Sequence, residues 1–174
     1  TNTTLFTEDI DDYLIEQQFK LTISVNGPKE IHNRSRVFAN KEEGSYDVMI
    51  KNIKMIKKKS ERYYQESVQF NTVMLAEDGF SCVDNYFRGD ELFSDSYFSA
   101  STVSSSYAKK EREISDAFIQ EQQYELFKSF LGKFQRLDSQ HISILLDGYL
   151  KHLKRFDVMR HQLGRGEVPE KWHR

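Results

Sequence analysis

Ser24 closes the run Leu21-Thr22-Ile23-Ser24-Val25, an alternation of period two that predicts a strand, and Asn26-Gly27-Pro28 stops it sharply. The alternation sets small hydroxyls on one face and branched aliphatics on the other. In a parallel α/β barrel one strand face packs under helices and the other looks into the barrel. A hydroxyl on the inner face, near the C-terminal end of the strand, sits where such folds bind ligands. The same residue also suits a plain structural role, bonded to a neighbouring strand. Asn71 is an isolated polar residue in a second predicted strand, Val68–Leu75. Ser99 and Ser101 share one face of a third, Tyr97–Val103. Other chemistries lack their residues. His32, His141, His152, His161 and His173 have no ligand-like spacing and read as satisfied or solvated side chains. No Gly-x-Ser-x-Gly elbow is present to make a hydrolase, and no Gly-x-x-x-x-Gly-Lys loop to cradle a nucleotide phosphate.

The elements that position these residues read as β/α units. Thr7 looks like an N-cap, with Glu8 and Asp9 in the first turn of a helix and Ile10, Tyr13 and Leu14 on one face. Gly44-Ser45 caps a helix from about Tyr46, with Tyr46, Met49, Ile50 and Ile53 as its core face. Lys57-Lys58-Lys59 closes that helix as a solvated last turn that complements the dipole, in preference to an anion site. Ser81 caps a short helix, Cys82–Phe87, which Arg88-Gly89-Asp90 ends, and Ser104-Ser105-Ser106 form a polar loop after the third strand. After Tyr107 the pattern changes to two long helices with no strand between them. The first spans about Lys109–Phe134, with Ile114, Phe118, Gln122, Leu126 and Phe130 on one face. The second runs from about Ser139 to Leu163, with a broad stripe from Ile142 and Leu145 to Leu153 and Phe156, read as packing in preference to peptide binding. Gly164-Arg165-Gly166 ends regular structure, and 168–173 reads as an extended tail.

Composition narrows the classes. With 174 residues, 38% of them hydrophobic and 30% charged, the chain can bury a real core beneath a polar surface. The net charge of -2 gives no reason to expect nucleic acid or an anionic membrane as a partner. No apolar run approaches the ~20 residues of a spanning helix. The single cysteine, Cys82, rules out an internal disulfide and fits a reducing, cytoplasmic setting.

The strand ending in Ser24-Val25-Asn26-Gly27-Pro28, followed by Lys29-Glu30-Ile31-His32-Asn33-Arg34-Ser35-Arg36, resembles the radical S-adenosylmethionine (SAM) enzymes that modify peptides and proteins. The likeness is to the SPASM-type maturases, such as the anaerobic sulfatase-maturating enzymes, also called arylsulfatase regulators. Those enzymes carry a strand reading roughly Ile-Ser-Leu-Asp-Gly-Pro, then a short helix with His-Asp and a downstream Arg. Asn26 stands where the family usually has Asp, which removes a charge. In the family a strand ending in Thr-Asn-Gly-Thr-Leu leads into the first helix, so Thr1–Leu5 matches that tail, with Thr3 in place of the usual Gly. The pattern covers roughly Thr1–Val103 and is specific only in Ser24–Arg36.

The resemblance implies an α/β fold, part of a (β/α) partial barrel followed by a helical C-terminal region. Residues 1–107 would be the second half of the barrel and 108–174 a helical bridge. Ser24 would point toward the SAM ribose or carboxylate, Arg36 (or Arg34) would pair with the carboxylate, and Asn71 would join the same cofactor-binding set. For Arg36 the plain structural alternative is a surface ion pair. The family's [4Fe–4S] cluster needs Cys-x3-Cys-x2-Cys thiolates, and one cysteine cannot supply them. The chain therefore reads as an internal fragment beginning mid-domain. SAM and the cluster belong to the full-length parent, and none is expected in this chain, which is expected to be inactive alone. The parent's partner would be a peptide or protein substrate, without nucleic acid or membrane. A cut barrel also exposes the edge of the Leu21–Val25 strand, which predicts a homodimer through that edge or a helix folded over it. The alternative from another class is a non-catalytic α/β module whose helical pair binds a protein.

Overall fold

A computed structural model describes residues 1–39, 43–103, 114–134, 138, 141–146 and 150. Three strands, β1 (Leu21–Ser24), β2 (Val68–Met74) and β3 (Tyr97–Thr102), form one parallel sheet in the order β1-β2-β3. Helices precede and separate them: α1 (Glu8–Glu16), α2 (Lys29–Ser35), α3 (Tyr46–Lys59), α4 (Glu61–Ser67) and α5 (Phe80–Gly89), with α6 (Asp116–Lys133) after β3. The chain is thus mixed α/β. Among the described residues no helix is long and apolar enough to cross a membrane.

Alternation decides which sheet face is covered. Leu21, Ile23, Val68, Phe70, Met74 and Phe98 are buried and pack with Met49, Ile53 and Ile56 of α3, Tyr63 and Tyr64 of α4, and Phe80, Val83 and Phe87 of α5. The centre of this core is aromatic. Phe93, in the turn between α5 and β3, is fully buried, with the rings of Phe70, Tyr86, Phe87 and Phe98 all within 6.2 Å. Edge-to-face and offset contacts of this kind add to the burial energy.

Helix ends follow local chemistry, with several departures from the pattern expected of the sequence. Thr7 does cap α1, its hydroxyl accepting from the Ile10 N–H at 3.4 Å. The inward face of α1 differs: Ile10 and Tyr13 are exposed, while Asp11 is buried and Leu14 and Ile15 pack on the core. The first N–H of α3 is taken by Asn33 Oδ1 at 3.2 Å, because the Ser45 hydroxyl is turned toward the Arg36 carbonyl. Helix α4 is not foreshadowed by the sequence pattern. Ser60 ends α3 and caps α4 in one residue, its hydroxyl accepting from the Tyr63 N–H. Helix α5 starts two residues earlier than Cys82, with Gly79 at φ 73 as its N-cap, a left-handed conformation that suits glycine. Ser81 is therefore not the cap. Its N–H is taken by Glu121 of α6 at 2.9 Å.

The first long C-terminal helix begins at Asp116, capped by Ser115, and Ile114 precedes it. His141–Leu146, expected inside a second helix, are not α-helical: His141 has 3-10 geometry, and Ile142 and Ile144–Leu146 are bends. Asp84 of α5 explains this: its Oδ1 accepts from the Ser143 hydroxyl at 2.6 Å and from the Leu145 N–H at 3.5 Å. That amide is spent on a carboxylate and not on a helical carbonyl. Burial raises the Asp84 carboxyl above its ordinary range, against the opposing pull of Ser143 and Arg88. Residues 104–113, with Ser104–Ser106, and 151–174, with the rest of the second helix and the extended tail, lie outside the described residues.

The β1 edge is occupied by the chain's own first residue. The Thr1 amino group donates to the Thr22 carbonyl at 2.9 Å, and the Ser24 N–H donates to the Thr1 carbonyl at 2.8 Å, the bonding of a parallel neighbour. Thr3 follows at φ 56, left-handed and buried, with its carbonyl accepting from Asn52 Nδ2 at 2.8 Å.

Candidate functional site

Among the described residues, the sheet face turned away from the helices is mostly polar: Thr22 and Ser24 of β1, Gln69 and Asn71 of β2, and Tyr97, Ser99 and Ser101 of β3 lie on it, exposed or half-buried, with Val73 as its aliphatic member. Parallel sheets normally have both faces covered by apolar packing, so a polar open face marks a surface made to meet something wet or polar. Register turns these residues into rows. Ser24 stands opposite Asn71, and Asn71 opposite Ser99, so three neutral hydrogen-bonding side chains cross the sheet side by side. The row nearer the strands' N-terminal ends is closed on itself, because Gln69 Nε2 donates to Thr22 Oγ1 at 2.7 Å. Among the described residues the Ser24–Asn71–Ser99 row makes no such internal bond. The pairing of Ser24 with Asn71 is invisible in either strand's sequence alone, since it depends on a register 47 residues apart.

At the C-terminal end of β1, Asn26 is buried and fully engaged. Its Nδ2 donates to Ser35 Oγ at 3.2 Å and its Oδ1 accepts from the Val73 N–H at 3.5 Å. Gly27 at φ 129 makes the turn into α2, where a side chain would be strained. Asn26 thus ties β1, β2 and α2 together.

His32 of α2 is completely buried and bonded at both nitrogens. Nδ1 accepts from the Asn26 N–H at 3.4 Å, and Nε2 faces Ser45 Oγ at 3.2 Å. The backbone amide can only donate, so Nδ1 is unprotonated and Nε2 carries the proton. The Ser45 hydroxyl in turn donates to the Arg36 carbonyl at 3.0 Å. The imidazole lone pair is therefore already used, and this Ser–His contact is not a nucleophile with its base. Burial, with a smaller push from Arg36, holds His32 neutral down to about 4.

The two arginines differ. Arg34 is spent on Asp78 through Nη1–Oδ1 at 2.6 Å, and Asp78 Oδ2 also accepts from the Leu75 N–H at 3.1 Å. Arg36, the last residue of the turn out of α2, is half-buried, and its Nε is buried without a hydrogen-bond partner among the described residues. Burial lowers its pKa. A buried guanidinium N–H left without an acceptor is costly and favours an incoming acceptor. The structure thus sets Ser24 and Asn71 in one row. Arg36 is joined through its backbone to His32 and Ser45, with no bond to that row among the described residues.

The donor set for metals is thin. Cys82 is exposed on α5, and among the described residues no three of His, Cys, Asp or Glu gather as a metal site requires. One thiol cannot replace three, so these residues do not fit a [4Fe–4S] cluster. No protein-family model matches the chain, and no curated protein matches it in sequence.

Proposed function

We propose that the open sheet face is the inner wall of a radical SAM partial barrel, that residues 108–174 are the bridge region following it, and that the full-length protein modifies a peptide or protein. The observation that carries this reading is the Ser24–Asn71–Ser99 row, whose side chains make no hydrogen bond to one another among the described residues, on the sheet face turned away from the described helices. Two further features support it. Arg36 Nε lacks a partner among the described residues, which suits a ligand carboxylate. Thr3 adopts φ 56 at the position where the resembled family carries glycine. The row and Arg36 fit the hydroxyls and carboxylate of SAM, whose chemistry when bound is hydrogen abstraction from the substrate. The chain's own residues would bind and orient it. The cluster would have to be held by cysteines elsewhere in the parent, and the setting would be cytoplasmic.

In the full-length protein, Arg36→Ala is expected to weaken SAM binding roughly ten- to a hundredfold, from loss of a charge-assisted bond of ~1.5–3 kcal/mol. Ser24→Ala and Asn71→Ala should each cost about 0.5–1.5 kcal/mol, with folding nearly intact. Calorimetric titration of SAM into these variants reads the effect, and unchanged affinity in Arg36→Ala removes its assigned role. The 174-residue chain alone should release no 5′-deoxyadenosine from SAM under reducing conditions.

One observation favours the second reading, a protein-interaction module. Tyr124, Phe127 and Phe134 of the α6 region are 62%, 58% and 73% exposed. Their i, i+3, i+10 spacing places them along one side of the helix, as an aromatic docking strip requires. SAM binding by the full-length protein decides between the two.

A further inference from the structure

The helical layer carries two adjacent outward faces of opposite charge. On α3, Lys51, Lys54 and Lys58 are exposed at i, i+3 and i+7, the spacing of one helix face. With Ile50, Met55 and Asp47, whose carboxylate is engaged by Lys29 at 2.6 Å, they line a shallow groove of about 420 Å³. No carboxylate pairs with these three among the described residues, whereas Lys57 and Lys59 of the same helix are paired with Glu61 and Asp12. On α1, Asp9, Asp12 and Glu16 are exposed with the identical i, i+3, i+7 spacing. Ile10 and Tyr13 lie among them, 39% and 57% exposed. The helices are neighbours, since Lys59 Nζ reaches Asp12 Oδ1 at 2.6 Å and the Glu8 carbonyl at 2.8 Å.

We propose that these faces dock a second copy of this chain, with α1 of each protomer lying on α3 of the other. A two-fold dimer needs a patch complementary to itself, and an acidic face beside a basic one of equal spacing meets that need. The exposed Ile10 and Tyr13 would meet Ile50 and Met55, giving each charged stripe an apolar partner to exclude water. The net charge of -2 places little overall repulsion between copies. Contacts of this kind are screened by salt, so the dimer is one of low ionic strength. The proposal does not depend on the function assigned to the sheet face.

The test is charge reversal, read by sedimentation velocity. Wild-type protein should be dimeric in ~0.02 M salt and monomeric in ~0.5 M. Asp9→Lys/Glu16→Lys, which leaves the Asp12–Lys59 pair intact, should weaken dimerisation at least about tenfold. Lys51→Glu/Lys54→Glu/Lys58→Glu should do the same. Mixed together, the two variants should form a heterodimer, because the predominant charge of one variant's two faces is then opposite to that of the other's. That rescue also shows that both variants are folded. A monomeric wild type at low salt overturns the proposal. So does a dimer that survives both reversals, which would place association on another surface, and so does a mixture that stays monomeric.

Discussion

Phe93→Ala is expected to cost about 3–5 kcal/mol of folding stability, the range for removing a fully buried aromatic ring. Phe93 is 0% exposed, and its ring centroid lies 5.0 Å from that of Phe70 and 5.3 Å from that of Phe87. Those two rings belong to β2 and α5, so Phe93 joins strand and helix across the turn that leads into β3. The cavity left behind would be lined by other rings that have no shorter route to fill it. A urea midpoint reads the loss. Phe127→Ala, at a residue 58% exposed, serves as the control and should cost under about 0.5 kcal/mol. Equal costs at the two positions would show that Phe93 is not the keystone of the core.

Acid should destabilise the fold through His32. Its folded pKa is lowered to about 4 from the ordinary 6.5, with burial as the main cause. The unfolded chain therefore takes up the proton first. The contribution is complete above about pH 6.5, falls as pH drops, and is gone once pH has passed through the folded pKa near 4. The full swing is on the order of 3 kcal/mol at 1.36 kcal/mol per pKa unit. His32→Gln keeps a neutral donor toward Ser45 and has no proton to gain. Between neutral pH and about pH 4.5 the wild type should lose about 2–3 kcal/mol more than this variant, read from urea midpoints at the two pH values. Identical pH slopes would mean that His32 is not the sensing group.

The strands were legible because their alternation is local. Thr22 and Ser24 against Leu21 and Ile23 announce β1 without reference to any other residue, and β2 and β3 ended within one residue of expectation. Helix α3 was legible for the same reason, through Met49 and Ile53 and its closing lysines. What escaped was set at a distance. Helix α4 was hidden because Ser60 serves both helices, so no loop separates them. Asp84, 59 residues before Ser143, draws 143–145 out of a helical pattern that the sequence otherwise favours. Phe93 sits between Asp90 and Asp95, in a stretch to which the sequence pattern assigned no element. In the candidate site, Ser24 and Asn71 were each visible as polar residues on strands, yet their adjacency is a property of register. The engagement of Arg34 by Asp78, which leaves Arg36 as the other arginine of the pair, depends on a turn after β2 that the pattern did not show.

The sequential parallel order of the sheet also bears on how the chain reaches this structure. Each strand pair closes only when an intervening crossover has been gathered in, and the two crossovers differ in length. Thr22 and Gln69 are 47 residues apart, whereas Gln69 meets Tyr97 across the shorter passage through α5. Loop closure costs more for the longer passage, and the passage through α5 supplies the Phe87 and Phe93 contacts that hold β2 to β3. The β2–α5–β3 half should therefore assemble first, with β1 joining later. Truncating Phe98 should then mainly slow folding, while truncating Ile23 should mainly speed unfolding, a division that stopped-flow chevrons separate.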